Sequence, residues 1–100
     1  MKLILEQNLK ESILLINTKD NVVVALKQKK KGDIIRLSNR VIRIQDEIPP
    51  GHKIAISEIK RGSSVIKYGE IIGIAVKDIL PGEWVHIHNV ESTRARGDKK

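Results

Sequence analysis

The amino-acid sequence predicts a small, mainly β domain with one short helix. Three observations predict it. Hydrophobic residues make up 40% of the 100, and they are mostly Ile and Val, with no Phe, one Trp and one Tyr. Such β-branched side chains are stiff at χ1 and suit strands. The apolar residues also come in short runs bounded by Gly, Pro, Asn or Asp rather than at helical spacing. Finally, an internal repeat aligns Ser57–Val65 with Lys77–Val85 at an offset of twenty, both reading acid-Ile-x-x-Gly-x-x-Val. In each copy the acid can hydrogen-bond a turn, the Ile turns inward and the Gly takes a left-handed corner. The shared register implies two similar hairpins wrapped on each other.

Taken in order, residues 1–10 read as an N-terminal extension or an edge strand. A single folded domain is expected over 11–92, followed by a basic tail over 93–100. Ile13 to Ile16 is an apolar run typical of a buried strand. Thr18 or Asp20 can cap a helix start, so a helix of two to three turns is expected through Val22–Leu26, with Gly32 as its stop. The run Val22-Val23-Val24 works against that helix, because β-branched residues resist it. Ile34–Leu37 and Val41–Ile44 flank Ser38-Asn39-Arg40, a tight hairpin turn. Ile48-Pro49-Pro50-Gly51 interrupts pairing and forms a rigid loop that positions His52 and Lys53. Strands follow over Lys53–Ser57, Ser63–Lys67, Glu70–Val76 and Trp84–His88.

Composition excludes several classes. No apolar run approaches the ~20 residues of a membrane span. The start, MKLILEQNLKESILLIN, carries Glu and Gln within its apolar part and has no small-residue cleavage site, so it does not read as a secretory signal. Without cysteine there is no disulfide, thiolate metal site or cysteine nucleophile, and a cytoplasmic location is expected. The net charge of +7 raises a nucleic-acid reading, favoured by charge alone. Its basic clusters are Lys27, Lys29, Lys30 and Lys31, and the tail Arg94, Arg96, Lys99 and Lys100. The chain lacks both stacking aromatics, beyond Trp84 and Tyr68, and any DNA-binding motif. No nucleic-acid partner and no membrane are expected.

The residues that carry chemistry lie late in the chain. His86 and His88, two apart in an expected strand, project from one face. Such a pair can share a divalent metal, with His52 as a third ligand, or bind an anion or substrate, or simply be hydrogen-bonded surface histidines. Lys67-Tyr68-Gly69 offers a cation for a carboxylate and a phenol for hydrogen bonding, and also reads as a plain glycine turn. There is no phosphate-cradling loop, serine elbow or triad spacing.

The stretch Ile48–Asn89 resembles the amino-terminal module of the altronate and galactarate dehydratase family. The family pattern runs P-x-G-H-K-x-A, then V-I-K-Y-G-x-x-I-G, then I-x-x-G-x-x-V-H-x-H-N. It is met here by Pro49, Gly51, His52, Lys53 and Ala55, by Val65–Gly69, Ile72 and Gly73, and by Ile79, Gly82, Val85, His86, His88 and Asn89. With Asn17–Leu26 added, the resemblance covers roughly 11–98. It implies a SAF domain with a β-clip fold, occurring as a free-standing small subunit as in sulfolactate sulfo-lyase. The implied function is dehydration of an altronate-like sugar acid to a 2-keto-3-deoxy acid, together with a separate large dehydratase subunit. The small chain is expected to be inactive alone and, in isolation, to form a homo-oligomer. On this resemblance His86, His88 and Tyr68 are catalytic candidates, and His52, Lys53, Lys67 and Asn89 substrate-binding ones. Fe2+ or another divalent metal is the implied cofactor, held by His52, His86 and His88 or mainly by the large subunit. The competing reading is a non-catalytic carbohydrate- or protein-binding SAF module. The residues do not choose among altronate, galactarate, another aldonate and sulfolactate.

Overall fold

The described residues form ten short strands: β1 Leu3–Asn8, β2 Ile13–Asn17, β3 Val22–Ala25, β4 Ile34–Leu37, β5 Arg40–Arg43, β6 Lys53–Ala55, β7 Ser64–Lys67, β8 Glu70–Ala75, β9 Trp84–Val85 and β10 Val90–Ser92. The structure, a computed structural model, describes residues 3–8, 13–17, 19–37 and 40–92. One sheet runs β1-β2-β3-β6-β9, a second β10-β8-β7, and β4 and β5 pair as a hairpin. The chain between β4 and β5 and the basic tail lie outside the described residues, as does Thr18.

The short helix expected through Val22–Leu26 is not found; Val22–Ala25 is strand β3, and the described residues contain no helix. The physical reason is burial on both faces. Val22 and Val23 are each 1% exposed, and β3 is antiparallel to β2 on one side and β6 on the other. A strand sends these neighbours into two different cores, whereas a helix would swing part of the run to solvent. Val23 and Ile54 join Ile35, Ile42, Ile44 and Ile48 in the first core. Val22 and Ala55 join Ile59, Val65, Ile79 and Val85 in the second. Asp20, the expected cap, instead accepts the Gly69 N–H through Oδ1 at 2.8 Å and is 8% exposed. Beside it, Asn21 takes the Ile66 N–H on Oδ1 and donates Nδ2 to the Ser64 carbonyl, pinning β7.

Among the described residues the turn within that repeat occurs four times. In Lys30–Asp33, Pro49–His52, Lys60–Ser63 and Leu80–Glu83 the last N–H donates to the first carbonyl. The third residue of each is a glycine with φ of 95°, 82°, 87° and 91° respectively. This is the type II turn, which takes Gly at its third position and favours Pro at its second, as at Pro50 and Pro81. The four turns are wired in two equivalent pairs. Gly32 donates to the Ile44 carbonyl as Gly62 does to Ala75, and Gly51 donates to Ala25 as Gly82 does to Ala55. Isolated antiparallel bridges Lys29↔Ile48 and Ile59↔Ile79 complete the correspondence. The molecule is thus two similar bent hairpin units, and β9 leaves the last turn at the edge of the large sheet.

Candidate functional site

The expected strand over Trp84–His88 ends at Val85, and His86–Asn89 is a turn. Asn89 makes it so. Its Oδ1 accepts the His86 N–H at 2.9 Å and its Nδ2 donates to the Trp84 carbonyl at 2.8 Å. The His86 carbonyl accepts from both Asn89 and Val90. Asn89 is 1% exposed, so the residue expected to touch substrate is instead buried in the turn that presents the two histidines. His86 and His88 therefore do not share a strand face.

What gathers the histidines is Trp84, which sequence reasoning treated only as a rare aromatic. Its backbone N–H donates to Asp46 Oδ2 at 3.0 Å, and its side chain packs against the first core. The indole Nε1–H donates to His52 Nδ1 at 3.1 Å. His86 stacks on the indole with centroids 5.2 Å apart and planes 10° from parallel, while His88 lies tilted at 5.5 Å. His52 and His86 are 4.9 Å apart. The available signal was the chain's single Trp, two residues before a His-x-His.

Two open pockets flank this cluster. One, of about 520 Å³, is lined by Asp46, Glu47, Trp84, His86, Ile87 and His88. The other, of about 320 Å³, is lined by Lys53, Ile72, His86, Ile87, Val90 and Ser92. His86 and Ile87 form the ridge between them. Lys67 and Tyr68 line neither; the Lys67 ammonium sits 4.6 Å from the Tyr68 ring centroid. Lys67 still bears on the site, because burial and then the positive charge of Lys67 lower the Lys53 pKa. Burial also lowers the His86 pKa, reinforced by His52, Lys53 and His88. The arrangement offers a neutral imidazole beside cationic amines, which suits proton removal next to a bound carboxylate.

The fit to a metal is poor. Among the described residues no group of three or more His, Asp or Glu side chains is gathered to hold a metal ion. His52 Nδ1 is already engaged by the indole. No metal step is assigned to these residues.

This β-rich domain, with its histidines gathered around Trp84, matches a known family. Residues 11–93 match the altronate/galactarate dehydratase SAF domain, and the chain belongs to that family. It is 40% identical over 82 residues to an altronate dehydratase of Bacillus subtilis (strain 168), covering 82% of this chain and 16% of that protein. It is 47% identical over 51 residues to the (2R)-sulfolactate sulfo-lyase subunit alpha of Chromohalobacter salexigens, covering 51% of this chain and 54% of that subunit. The corresponding subunit of Paracoccus pantotrophus is 48% identical over 48 residues, 48% of this chain and 72% of the subunit. The chain thus spans about one sixth of the altronate dehydratases it matches, at 16% of their length. Its relatives are lyases and dehydratases, and two are named as subunits. Among the described residues no helix is long and apolar enough to cross a membrane.

Proposed function

We propose that this chain is the small subunit of a hydro-lyase that dehydrates an altronate-like sugar acid to a 2-keto-3-deoxy acid, working with a separate large catalytic subunit. The observation that carries the reading is the histidine cluster on an open ridge: His52, His86 and His88 surround Trp84 between two pockets that remain open to solvent. A second protein surface closing over that ridge would exclude water and complete a site. The two similarly wired hairpin units also support the β-clip form of the domain.

In the reaction, a base takes the proton from the carbon beside the carboxylate, and the hydroxyl on the next carbon leaves with a donated proton as water. The enol that remains tautomerises to the 2-keto acid. His86, kept neutral by its surroundings, is assigned as base. His88, exposed on the same turn, is assigned as acid, and Lys53, with Lys67 behind it, as the carboxylate grip. Tyr68 lies outside both pockets and is assigned to orient a substrate hydroxyl only where the large subunit extends the site to it. Fe2+ or another divalent metal, if the reaction uses one, is assigned mainly to the large subunit.

The test is co-purification with a candidate large subunit, then assay of 2-keto-3-deoxy acid from a panel of sugar acids, with and without Fe2+. Turnover by the complex and not by either protein alone is expected. A chain that neither pairs nor supports turnover would return the reading to a binding-only SAF module. Sulfolactate is the alternative substrate, suggested by a sulfo-lyase subunit matched over 72% of its length and 48% of this chain; it would lose sulfite and leave pyruvate, so it is assayed by sulfite release.

A further inference from the structure

We propose that Trp84 is a positioning residue that locks His52 into one tautomer, making it a hydrogen-bond donor to an anionic oxygen rather than a metal ligand. An indole N–H can only donate. At 3.1 Å it therefore requires a lone pair on His52 Nδ1. A neutral imidazole carries one N–H, so the proton sits on Nε2. The only ring nitrogen left to meet a ligand is then a donor. For Nε2 to ligate a metal, its proton must move to Nδ1, which would set two N–H groups against each other and break the Trp84 bond.

The indole is poorly free to yield. Its backbone N–H is held by Asp46 and its carbonyl by buried Asn89. His86 covers one indole face, and the first core packs on the side chain. Residue 52 is equally fixed, because the Pro49–His52 turn places it and its carbonyl accepts the Ala25 N–H at 2.8 Å. His52 ends one turn and Trp84 directly follows the equivalent turn of the other hairpin unit, so the hydrogen bond ties one unit to the other. That an oxygen of a carboxylate is what His52 meets rests on the lyase reading; the tautomer does not.

The experiment uses the full chain labelled with 15N. Long-range 1H–15N spectra read the His52 tautomer, and a scalar coupling across N–H···N reads the Trp84–His52 bond directly in the unaltered protein. Zn2+ serves as the metal probe, in the unaltered protein and in Trp84→Phe, which keeps a ring for His86 to stack on. Expected are a pure Nε2–H tautomer with a measurable coupling, a mixed tautomer in Trp84→Phe, and Zn2+ binding at His52 strengthened about fivefold by the loss of one opposing hydrogen bond. An Nδ1–H tautomer in the unaltered protein, or Zn2+ ligation by His52 equally strong in both, would overturn the proposal. None of these readouts uses turnover. A lone Nε2–H tautomer in a chain that never supports turnover would uphold the positioning role and remove only the lyase reading.

Discussion

His86 carries the clearest electrostatic signature at the level of single residues. Burial first, and then His52, Lys53 and His88, lower its pKa from the ordinary 6.5. The unfolded chain consequently takes up this proton more readily than the folded one. The contribution of His86 to stability is complete above about pH 6.5 and declines as pH falls from there toward the lower folded value. His86→Gln should flatten that part of the slope, as urea unfolding between about pH 5 and 8 would register. In the assembled enzyme the same substitution should collapse turnover; near-normal activity would remove His86 from the site. Tyr68 offers a different test. It stands at φ 57° in the two-residue turn Tyr68-Gly69 that joins Lys67 to Glu70. Such a turn prefers Asn at this position. Tyr68→Asn should raise stability by about 0.5–1 kcal/mol by relieving left-handed strain. If Tyr68 orients substrate, the same change lowers turnover, a trade of activity against stability.

Turns, more than strands, set the geometry of the site. Gly82 and Gly62 each take the third position of a type II turn, with φ near 90° in both, yet their surroundings differ. A Cβ on Gly82 would lie 2.0 Å from the Arg43 carbonyl oxygen, while one on Gly62 would meet nothing within 4 Å. Gly62→Ala should therefore cost only the conformational term, about 1–2 kcal/mol. Gly82→Ala should cost clearly more and disturb Trp84 two residues on. Equal losses by chemical denaturation would mean that the close approach to Arg43 relaxes freely. The turn over His86–Asn89 depends on one side chain instead. Asn89→Ala leaves the His86 N–H and the Trp84 carbonyl without partners, at a cost of about 1–3 kcal/mol. Because the chain has a single Trp, its fluorescence should report the loosened stack directly.

For the molecule as a whole, the two-unit hairpin arrangement leaves the last turn standing out between two pockets. Ile87 at its tip is 83% exposed, although it is a large apolar side chain. Nothing among the described residues covers it, and a second subunit would gain by doing so. Ile87→Ser should leave stability within about 0.5 kcal/mol, as for other surface positions. It should also weaken capture of the large subunit, measured by sedimentation of the mixed proteins. Unchanged capture would place the contact on another face.

Much of this was legible from local signals. Gly62 and Gly82 mark their turns because only a residue without Cβ takes a positive φ easily, and Pro81 before Gly82 sharpens that signal. Ile35 and Ile42 show their inward face by the period-two alternation of the hairpin they share. The residues that match the family pattern, from Pro49 to Asn89, identified the domain without any coordinates. Two further copies of the turn, with Gly32 and Gly51 at the third position, were hidden because Lys29 stands where the other copies carry Ile, and because a His-Lys pair follows Gly51.

The remainder depended on contacts between distant residues. Val22–Ala25 has a capping signal before it and a glycine after it, which are local hints of a helix. Its pairing with Lys53–Ala55 and its burial in two cores decided for strand. The indole of Trp84 meets His52 across 32 positions, and Asn89 is an interior hydrogen-bonding residue rather than a surface one. Sequence by itself determined the β character, the turn corners, the family and the residue types of the site, because these follow from backbone preferences and short spacings. Only the tertiary structure decided which of those residues meet, because hydrogen bonds and ring contacts between remote segments depend on strand register, which local propensity does not encode.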